Sequence, residues 1–575
     1  MNSLKVSHGK IAHEVFNQPP PLTGLNLYLA DTTLTEVVER EEAGWADGRL
    51  RELGRRLGTE EVQRWGFEAN ENEPVLHTHD RFGNRRDEVE FHPSWHNLMR
   101  TSVENGLHSL PWAEPRKGAN VARAAMLLLT TQNEAGHTCP VSMTFAAVAA
   151  LRAEPGLAAE WEPRILATNY DPRFRPVTEK SGALIGMGMT EKQGGSDVRA
   201  NTTRAEQIGN SREYLISGHK WFCSAPMCDA FLILAQAPKG LSCFLLPRWT
   251  PAGERNAFHI QRLKQKMGNR SNASSEVEFA GAWASLVGEE GRGVHAIIEM
   301  VNCTRLDCAV GAAGLMRAAV VQAVHHARHR MAFGKPLIEQ PLMQNVLADL
   351  IVESEAATLL ALRLASSFDL KHSSEEQRRF ARIATAISKY WLSKRALSHV
   401  GEALECLGGN GYVEESIMPR LYREAPLYSI WEGSGNVICL DVLRAFAKDP
   451  GTLDALVREI RLGARGVPRF EDFMEAVEGS LRKHARLMTE GRGSESEKEA
   501  RRLTENAAVA LQASLLLRYG PPAVAEAFCA TRIGGDGGHT YGTLPAEPGF
   551  EQIVARVSAN LPMSAGIEAR RDEWL

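Results

Sequence analysis

The chain's 575 residues are 43 % apolar and 24 % charged, and 66 Lys plus Arg against 70 Asp plus Glu leave a formal net charge of -4. A chain of this length holds more than one core, roughly two to four domains, and so balanced a charge excludes a global attraction for nucleic acid or an anionic membrane. Its longest apolar runs, such as AAMLLL and MTFAAVAAL, are shorter than the roughly 18 to 20 residues that cross a bilayer, so no membrane partner is expected. Nine cysteines without paired CxxC clusters argue for buried thiols rather than disulfides or zinc, and no metal is expected. The opening stretch MNSLKVSHGKIAHEVFNQPPP lacks an apolar core before a cleavage site, which makes the cytoplasm the expected location.

In chain order, residues 1–60 hold a Pro-rich arm, NQPPPLTG, and a charged helical stretch; an arm of this kind usually caps a neighbour or a sister subunit. Residues 61–180 read as an all-helical N-terminal domain, from segments such as NVARAAMLLLTTQNEAG and SMTFAAVAALRAE separated by polar breaks. Over 181–290 the texture changes to short segments rich in β-branched and aromatic residues, YLISGHKWF, AFLILAQA and LSCFLLPR among them, which predict a small β-domain. Helix returns after GEEGRGV. There Ala309, Ala313, Met316, Val320, Ala323 and Ala327 recur at four- and three-residue steps and draw one apolar stripe along a single long helix, the core of a helical domain over 291–445. Residues 446–575 read as an additional α-helical domain, as in RRLTENAAVALQASLLLRYG. The order helix, sheet, helix narrows the fold. No GxGxxG after a strand, Walker loop or HExxH is present in the sequence, so Rossmann-type and zinc-peptidase chemistry are disfavoured.

The stretch SIWEGSGN, residues 429–436, sets Glu432 between a tryptophan and small residues. Glycine on its C-terminal side permits backbone shapes that aim the carboxylate away from the protein itself. An ordinary solvated loop has the same composition.

Context separates the two readings. MGMTEKQGGSD (187–197), KWFCS (220–224), RMAFGKP (330–336), LGGNGY (407–412) and WEGSGN (431–436) occur in the order and spacing of the acyl-CoA dehydrogenase flavoproteins, which the chain resembles from about residue 60 to 445. GNRSNAS, LYRE, SIWEGSGN, the arm FNQPPPLTGLNLYLAD and the C-terminal extension resemble the AidB-like adaptive-response (DNA alkylation response) branch of that family. The resemblance implies a mainly α fold with a central β-domain: an α-helical N-domain, a β-barrel middle domain and a four-helix-bundle C-domain, here with an extra α-helical domain.

It also implies a site for FAD. Met187, Met189 and Thr190 would contact the flavin ring edge, Gly195 and Ser196 would lie by phosphates and substrate, and Trp221, Phe222 and Ser224 would close the opposite side. Core packing is the plain alternative for Trp221. Arg330 would reach the pyrophosphate of FAD held by a neighbouring subunit, as a guanidinium fork suits phosphate oxygens, and Phe333 would pack near the adenine. Gly408, Gly409 and Gly411 would let backbone approach the cofactor. The family's FQ dipeptide reads Gln340-Pro341 here, which leaves Gln340 or Gln344 as substitute for the adenine contact. Trp431, Gly433, Ser434 and Asn436 complete the set on the Glu432 loop.

By the same resemblance Glu432 is the base that removes an α-proton of an acyl thioester, a role that needs an anionic group with a pKa raised towards working pH. The position where one subgroup carries its base instead is Thr304, which cannot serve. The function implied is FAD-dependent α,β-dehydrogenation of a short or branched acyl-CoA, with an electron-transferring flavoprotein as acceptor and a homotetramer, a dimer of dimers, as the assembly. Two other readings stay open: a DNA-associated flavoprotein protecting against alkylation damage with residual dehydrogenase activity, and a scaffold that holds FAD without turnover. For DNA the sequence offers Arg458, Arg461, Arg465 and Arg469 at three- and four-residue steps, a positive stripe if one continuous helix carries them and otherwise a solvated face.

Overall fold

The computed structural model describes residues 16–463, 466–545 and 549–562. Helices Thr32–Arg40, Asp47–Leu57, Glu60–Glu71, Pro93–Glu104, Ala119–Asn133, Thr138–Leu151 and Pro155–Ile165 build the N-terminal part. The sequence reads as all helix here, but an antiparallel hairpin of β1 (Val75–His79) and β2 (Arg85–Glu90) intervenes. Its strands are short, and their charged residues lie largely in solvent, so the hairpin carries little of the apolar alternation that announces a strand.

The middle of the chain forms a seven-stranded sheet of β3 (Ile185–Gly188), β4 (Arg204–Gln207), β5 (Glu213–Ser224), β6 (Ala230–Ala237), β7 (Gly240–Pro247), β8 (Phe258–Leu263) and β9 (Ser274–Val287). β6 pairs with β4, β4 with β5, β5 with β9, β9 with β7, and β7 with β6 again, so the ladder closes into a barrel. β6 reads AFLILAQA and is buried along its first six residues, the continuous apolar run of a strand covered on both faces. β3 adds in parallel to β6 and delivers the MGMTEKQGGSD loop to one end.

Helix Gly293–His329 follows, and all six residues of the stripe from Ala309 to Ala327 are buried in it. It is long and apolar enough to cross a bilayer, but 94 % of its most apolar window is buried inside the protein. The Arg328 guanidinium in its last turn suits the carbonyl end of a helix. Pro336 and Gln340 bracket a short turn before Pro341 opens the next helix, Pro341–Leu370, at the position where a missing N–H costs nothing. Helix Glu375–Glu405 starts from Ser374, whose hydroxyl accepts the Gln377 N–H, with Glu375 and Glu376 in the first turn, an N-cap reinforced by acidic charge. Helix Gly435–Lys448 completes the four-helix arrangement, with Met418–Tyr428 leading to it.

The extension, helices Gly451–Arg461, Pro468–Thr489, Ala500–Tyr519, Pro522–Phe528 and Phe550–Ser558, is bonded into the bundle. Arg363 donates to both oxygens of Glu459 at 2.9 and 2.7 Å, Arg518 reaches the same carboxylate at 2.8 Å, and the Trp391 indole donates to Gln512 at 2.7 Å. The arginine stripe does not form. One helix ends at Arg461 and the next begins at Pro468, because Gly463 packs against the Ser514 backbone and Gly466 takes φ +76°. Arg458, Arg461 and Arg469 pair with Glu376, Glu478 and Asp536; Arg465 lies outside the described residues.

Candidate active site

The MGMTEKQGGSD loop is fixed from beneath by a residue the sequence reading did not single out. Glu191 is buried, its Oε1 lies 2.8 Å from the Lys220 ammonium, and its carboxylate accepts N–H bonds from Thr202 and Thr203 at 2.7 and 3.2 Å. Burial pushes its pKa up, but Lys220 and these donors outweigh burial and hold it down to about 2. Lys220 also donates to the Leu234 carbonyl on β6 at 2.8 Å. The loop's backbone is therefore tied to the barrel. Met187, Met189 and Thr190 lie half-buried along its start, and Gly195 and Ser196 are exposed at its bend. Gly195 is required for packing: a Cβ there would lie 2.3 Å from the Thr190 hydroxyl.

β5 runs alongside. The Trp221 N–H donates to the Thr190 carbonyl at 2.8 Å, which joins KWFCS to MTEKQGGSD. Trp221 is half-buried with the Lys264 ammonium 3.3 Å from its ring centroid, Phe222 is exposed, and Ser224 meets Ser274 across the sheet. Beside Ser224 lies the buried Cys139 thiol, which is also within electrostatic reach of Glu432; burial pushes this thiol up to about 12.

Glu432 closes the same region from the bundle side. Its φ is +57°, a strained value for a residue with a Cβ, and Gly433 follows at +106°. Such strain persists only where the surroundings impose it. Here Arg305 Nε donates to the Glu432 carbonyl at 3.1 Å, and Lys389 donates to the Gly433 carbonyl. Asp441 in turn holds Arg305 at 2.9 Å and Arg382 at 2.6 Å. Burial raises the Glu432 carboxyl above its ordinary value, against the Thr304 hydroxyl and the charges of Arg305 and Lys389. Lys389 is itself pushed down to about 8 by burial, with Cys308 and Glu432 opposing. Thr304, the position of the other subgroup's base, thus adjoins Glu432. Arg305, Lys389 and Asp441 are functional candidates that no motif flagged, because charged residues inside helical patterns look like solvated faces until their partners are known.

The remaining candidates gather elsewhere. Arg330 ends the long helix, and Met331–Ala332 and Lys335–Pro336 form a two-residue hairpin whose turn is Phe333 (φ +52°) and Gly334 (φ +82°). A turn with two positive φ values favours Asn-Gly; a phenylalanine there is strained, and its ring is 97 % exposed. Gln344 is half-buried one turn into the next helix. Gln340 is committed to the hairpin, its amide donating to the Ala332 carbonyl at 2.9 Å, which leaves Gln344 as the freer of the two amides. Gly408 (φ +57°) and Gly409 lie on a turn where an added Cβ would have no atom of the described residues within 4 Å. Thr304 and Arg330 are 26 positions apart (304 to 330) on one helix, about 39 Å at about 1.5 Å per residue.

On the Glu432 loop Trp431 packs edge-on to Tyr428, and its buried indole N–H has no hydrogen-bond partner among the described residues. Ser434 is the exposed N-cap residue of Gly435–Lys448, and Asn436 accepts from Arg501 of the extension at 2.8 Å. A flavin dinucleotide fits this set of groups: a glycine turn, a buried indole N–H and an Asn201 Oδ1 beside the Met189 carbonyl that have no hydrogen-bond partner among the described residues, and the exposed Phe333 side chain.

Residues 17–172 match the adaptive response protein AidB N-terminal domain, 186–282 the acyl-CoA dehydrogenase middle domain and 291–447 the acyl-CoA dehydrogenase C-terminal domain. AidB of Escherichia coli (strain K12) is 46 % identical over 529 residues, 92 % of this chain and 95 % of that one. Acyl-CoA dehydrogenase family member 11 of Caenorhabditis elegans is 32 % identical over 82 % of this chain and 79 % of its own. The crystal structure of C. elegans ACDH-11 in complex with C11-CoA superposes with a TM-score of 0.81 at 27 % identity, covering 100 % of this chain and 97 % of that chain. The chain belongs to the acyl-CoA dehydrogenase family, FAD-dependent oxidoreductases that act on CH–CH groups, and within it to the AidB-like branch.

Proposed function

We propose that the protein dehydrogenates an acyl-CoA between its α- and β-carbons, with Glu432 as the base. The observation that carries this reading is the Glu432 loop itself: a carboxyl raised by burial, at positive φ, with both neighbouring carbonyls held by Arg305 and Lys389. Such a carboxylate is anionic yet readily reprotonated, as removal of a weakly acidic α-proton requires. The Glu432 N–H, at the strained turn, is the family's donor to the thioester carbonyl, where it would stabilise charge developing on oxygen. FAD, when bound, supplies the two-electron acceptor.

Met187, Met189, Thr190, Gly195, Ser196, Trp221, Phe222 and Ser224 would hold the ring and the nearer phosphates, with Trp431, Gly433, Ser434 and Asn436 beside them. About 39 Å of helix between Thr304 and Arg330 is farther than an extended dinucleotide reaches. Arg330, Phe333, Gln344, Gly408 and Gly409 would therefore serve the cofactor beside Glu432 of a second copy, which supports a dimer as the smallest complete unit and a dimer of dimers as the assembly. The acyl-CoA complex of the C. elegans neighbour supports the substrate class; a short or branched acyl group and an electron-transferring flavoprotein as acceptor follow from the family resemblance. The test is anaerobic titration of the FAD-loaded protein with a panel running from short and branched to medium-length acyl-CoAs. Wild type is expected to bleach, and Glu432→Gln to retain FAD but stay oxidised; bleaching of Glu432→Gln would exclude the assignment.

A further inference from the structure

The N-terminal arm grips the cofactor-side elements of its own bundle rather than lying loose for a neighbour. Asn17 (φ +55°) accepts the Met331 N–H on its Oδ1 at 2.7 Å and donates its Nδ2 to the Met331 carbonyl at 2.9 Å. One side chain thus satisfies both backbone groups of Met331, as a neighbouring strand would, and asparagine is among the few residues that take a left-handed backbone readily. The Asn17 carbonyl accepts from Arg330 Nη1 at 2.6 Å. Three residues on, the Pro20 carbonyl meets His325 Nε2 at 2.8 Å, one turn back along the helix from Arg330. Between them, Gln18 Oε1 accepts from Asn410 Nδ2 at 2.9 Å, and Asn410 sits in the glycine turn 408–411.

We infer that Asn17 and Gln18 are positioning residues for cofactor binding: they preset the Arg330 guanidinium and its hairpin and hold the Gly408–Gly411 turn in register with it. The inference rests on the proposed role of Arg330 towards a dinucleotide phosphate. An arginine on a two-residue hairpin is otherwise free to sample many rotamers, and ordering it on binding costs affinity. Only one of the five guanidinium N–H donors is spent on the Asn17 carbonyl, and a planar fork offers the others to phosphate oxygens. The arm also explains how Phe333 stays at a positive φ: Met331 is clamped on one side of the turn, and the Leu337 N–H to Arg330 carbonyl bond of 2.8 Å closes the other.

The test is FAD affinity of the deflavinated full chain, read by quenching of flavin fluorescence, for wild type, Asn17→Ala, Gln18→Ala, Arg330→Ala and the Asn17→Ala/Arg330→Ala pair, with the mass in solution measured at the same concentration. Asn17→Ala is expected to weaken FAD about tenfold, Gln18→Ala less, and Asn17→Ala to cost less once Arg330 is removed. The inference is overturned if Asn17→Ala leaves affinity unchanged, tightens it as a displaced competitor would, costs the same in both backgrounds, or acts only by dissociating the oligomer. Should Arg330→Ala bind FAD like wild type, the cofactor role of Arg330 fails instead, a separate result.

Discussion

The Glu191 carboxylate and the Lys220 ammonium meet at 2.8 Å with neither side chain exposed to solvent. They join the loop after β3 to β5, so the pair ties the MGMTEKQGGSD and KWFCS motifs together.

Removing one partner leaves the other charged and buried. Lys220→Met is therefore expected to lower unfolding free energy by about 3–5 kcal/mol, measured by urea denaturation. The paired change Glu191→Gln/Lys220→Met, which keeps an oxygen for the Thr202 and Thr203 N–H groups, is expected to recover part of that loss. A single variant as stable as wild type would contradict the buried-pair account.

Asp441 acts at one remove from the base. It anchors Arg305, which donates to the Glu432 carbonyl. Asp441→Asn keeps the shape and drops the charge, so the Glu432 loop loses its strut. Flavin reduction by acyl-CoA is expected to slow by roughly 10-fold to 100-fold, in line with the cost of small misplacements, with FAD content unchanged. An unaltered rate in rapid-mixing experiments would remove Asp441 from the machinery.

Glu424 is buried, receives the Asn269 N–H at 2.6 Å, and is pushed up to about 7 by burial and by the neighbouring Glu134 charge. A folded value above the ordinary 4.5 means that the folded state holds the proton more tightly than the unfolded chain. The stability this contributes is complete below about 4.5 and is lost as pH rises to about 7, at roughly 1.4 kcal/mol per unit. Glu424→Gln removes the titration and keeps an oxygen for Asn269. Its thermal midpoint is expected to gain on wild type progressively across that window and to hold a constant lead above it. Parallel curves would show that Glu424 does not titrate there.

Particular residues show what could be read in advance. The stripe from Ala309 to Ala327 announced the long helix by its 3.6-residue period, but it did not announce that residues 303–321 are buried on every face. Glu432, Trp221 and Arg330 stand out in the sequence through the motifs that carry them. The residues that hold the Glu432 loop do not: Lys389 lies 43 positions from Glu432 (389 to 432), and the packing of Glu375–Glu405 on Met418–Tyr428 and Gly435–Lys448, the helices flanking that loop, brings them together. The hairpin Val75–Glu90 escaped notice since its strands stay largely in solvent. The arginine spacing from 458 to 469 makes a stripe only on one continuous helix, and a three- and four-residue rhythm says nothing of Gly463 closing on Ser514. Local pattern reports which face is buried; it does not report what a distant charge is buried against.

The account centres on Glu432 taking a proton from carbon, and exchange of that proton reads the step without requiring complete turnover. FAD-loaded protein is incubated in D2O with an acyl-CoA, and deuterium at the α-carbon is followed by mass spectrometry. Wild type is expected to incorporate deuterium, while Glu432→Gln, with FAD bound and the fold intact, incorporates none. Equal incorporation by both proteins would contradict the account and send the search for a base elsewhere.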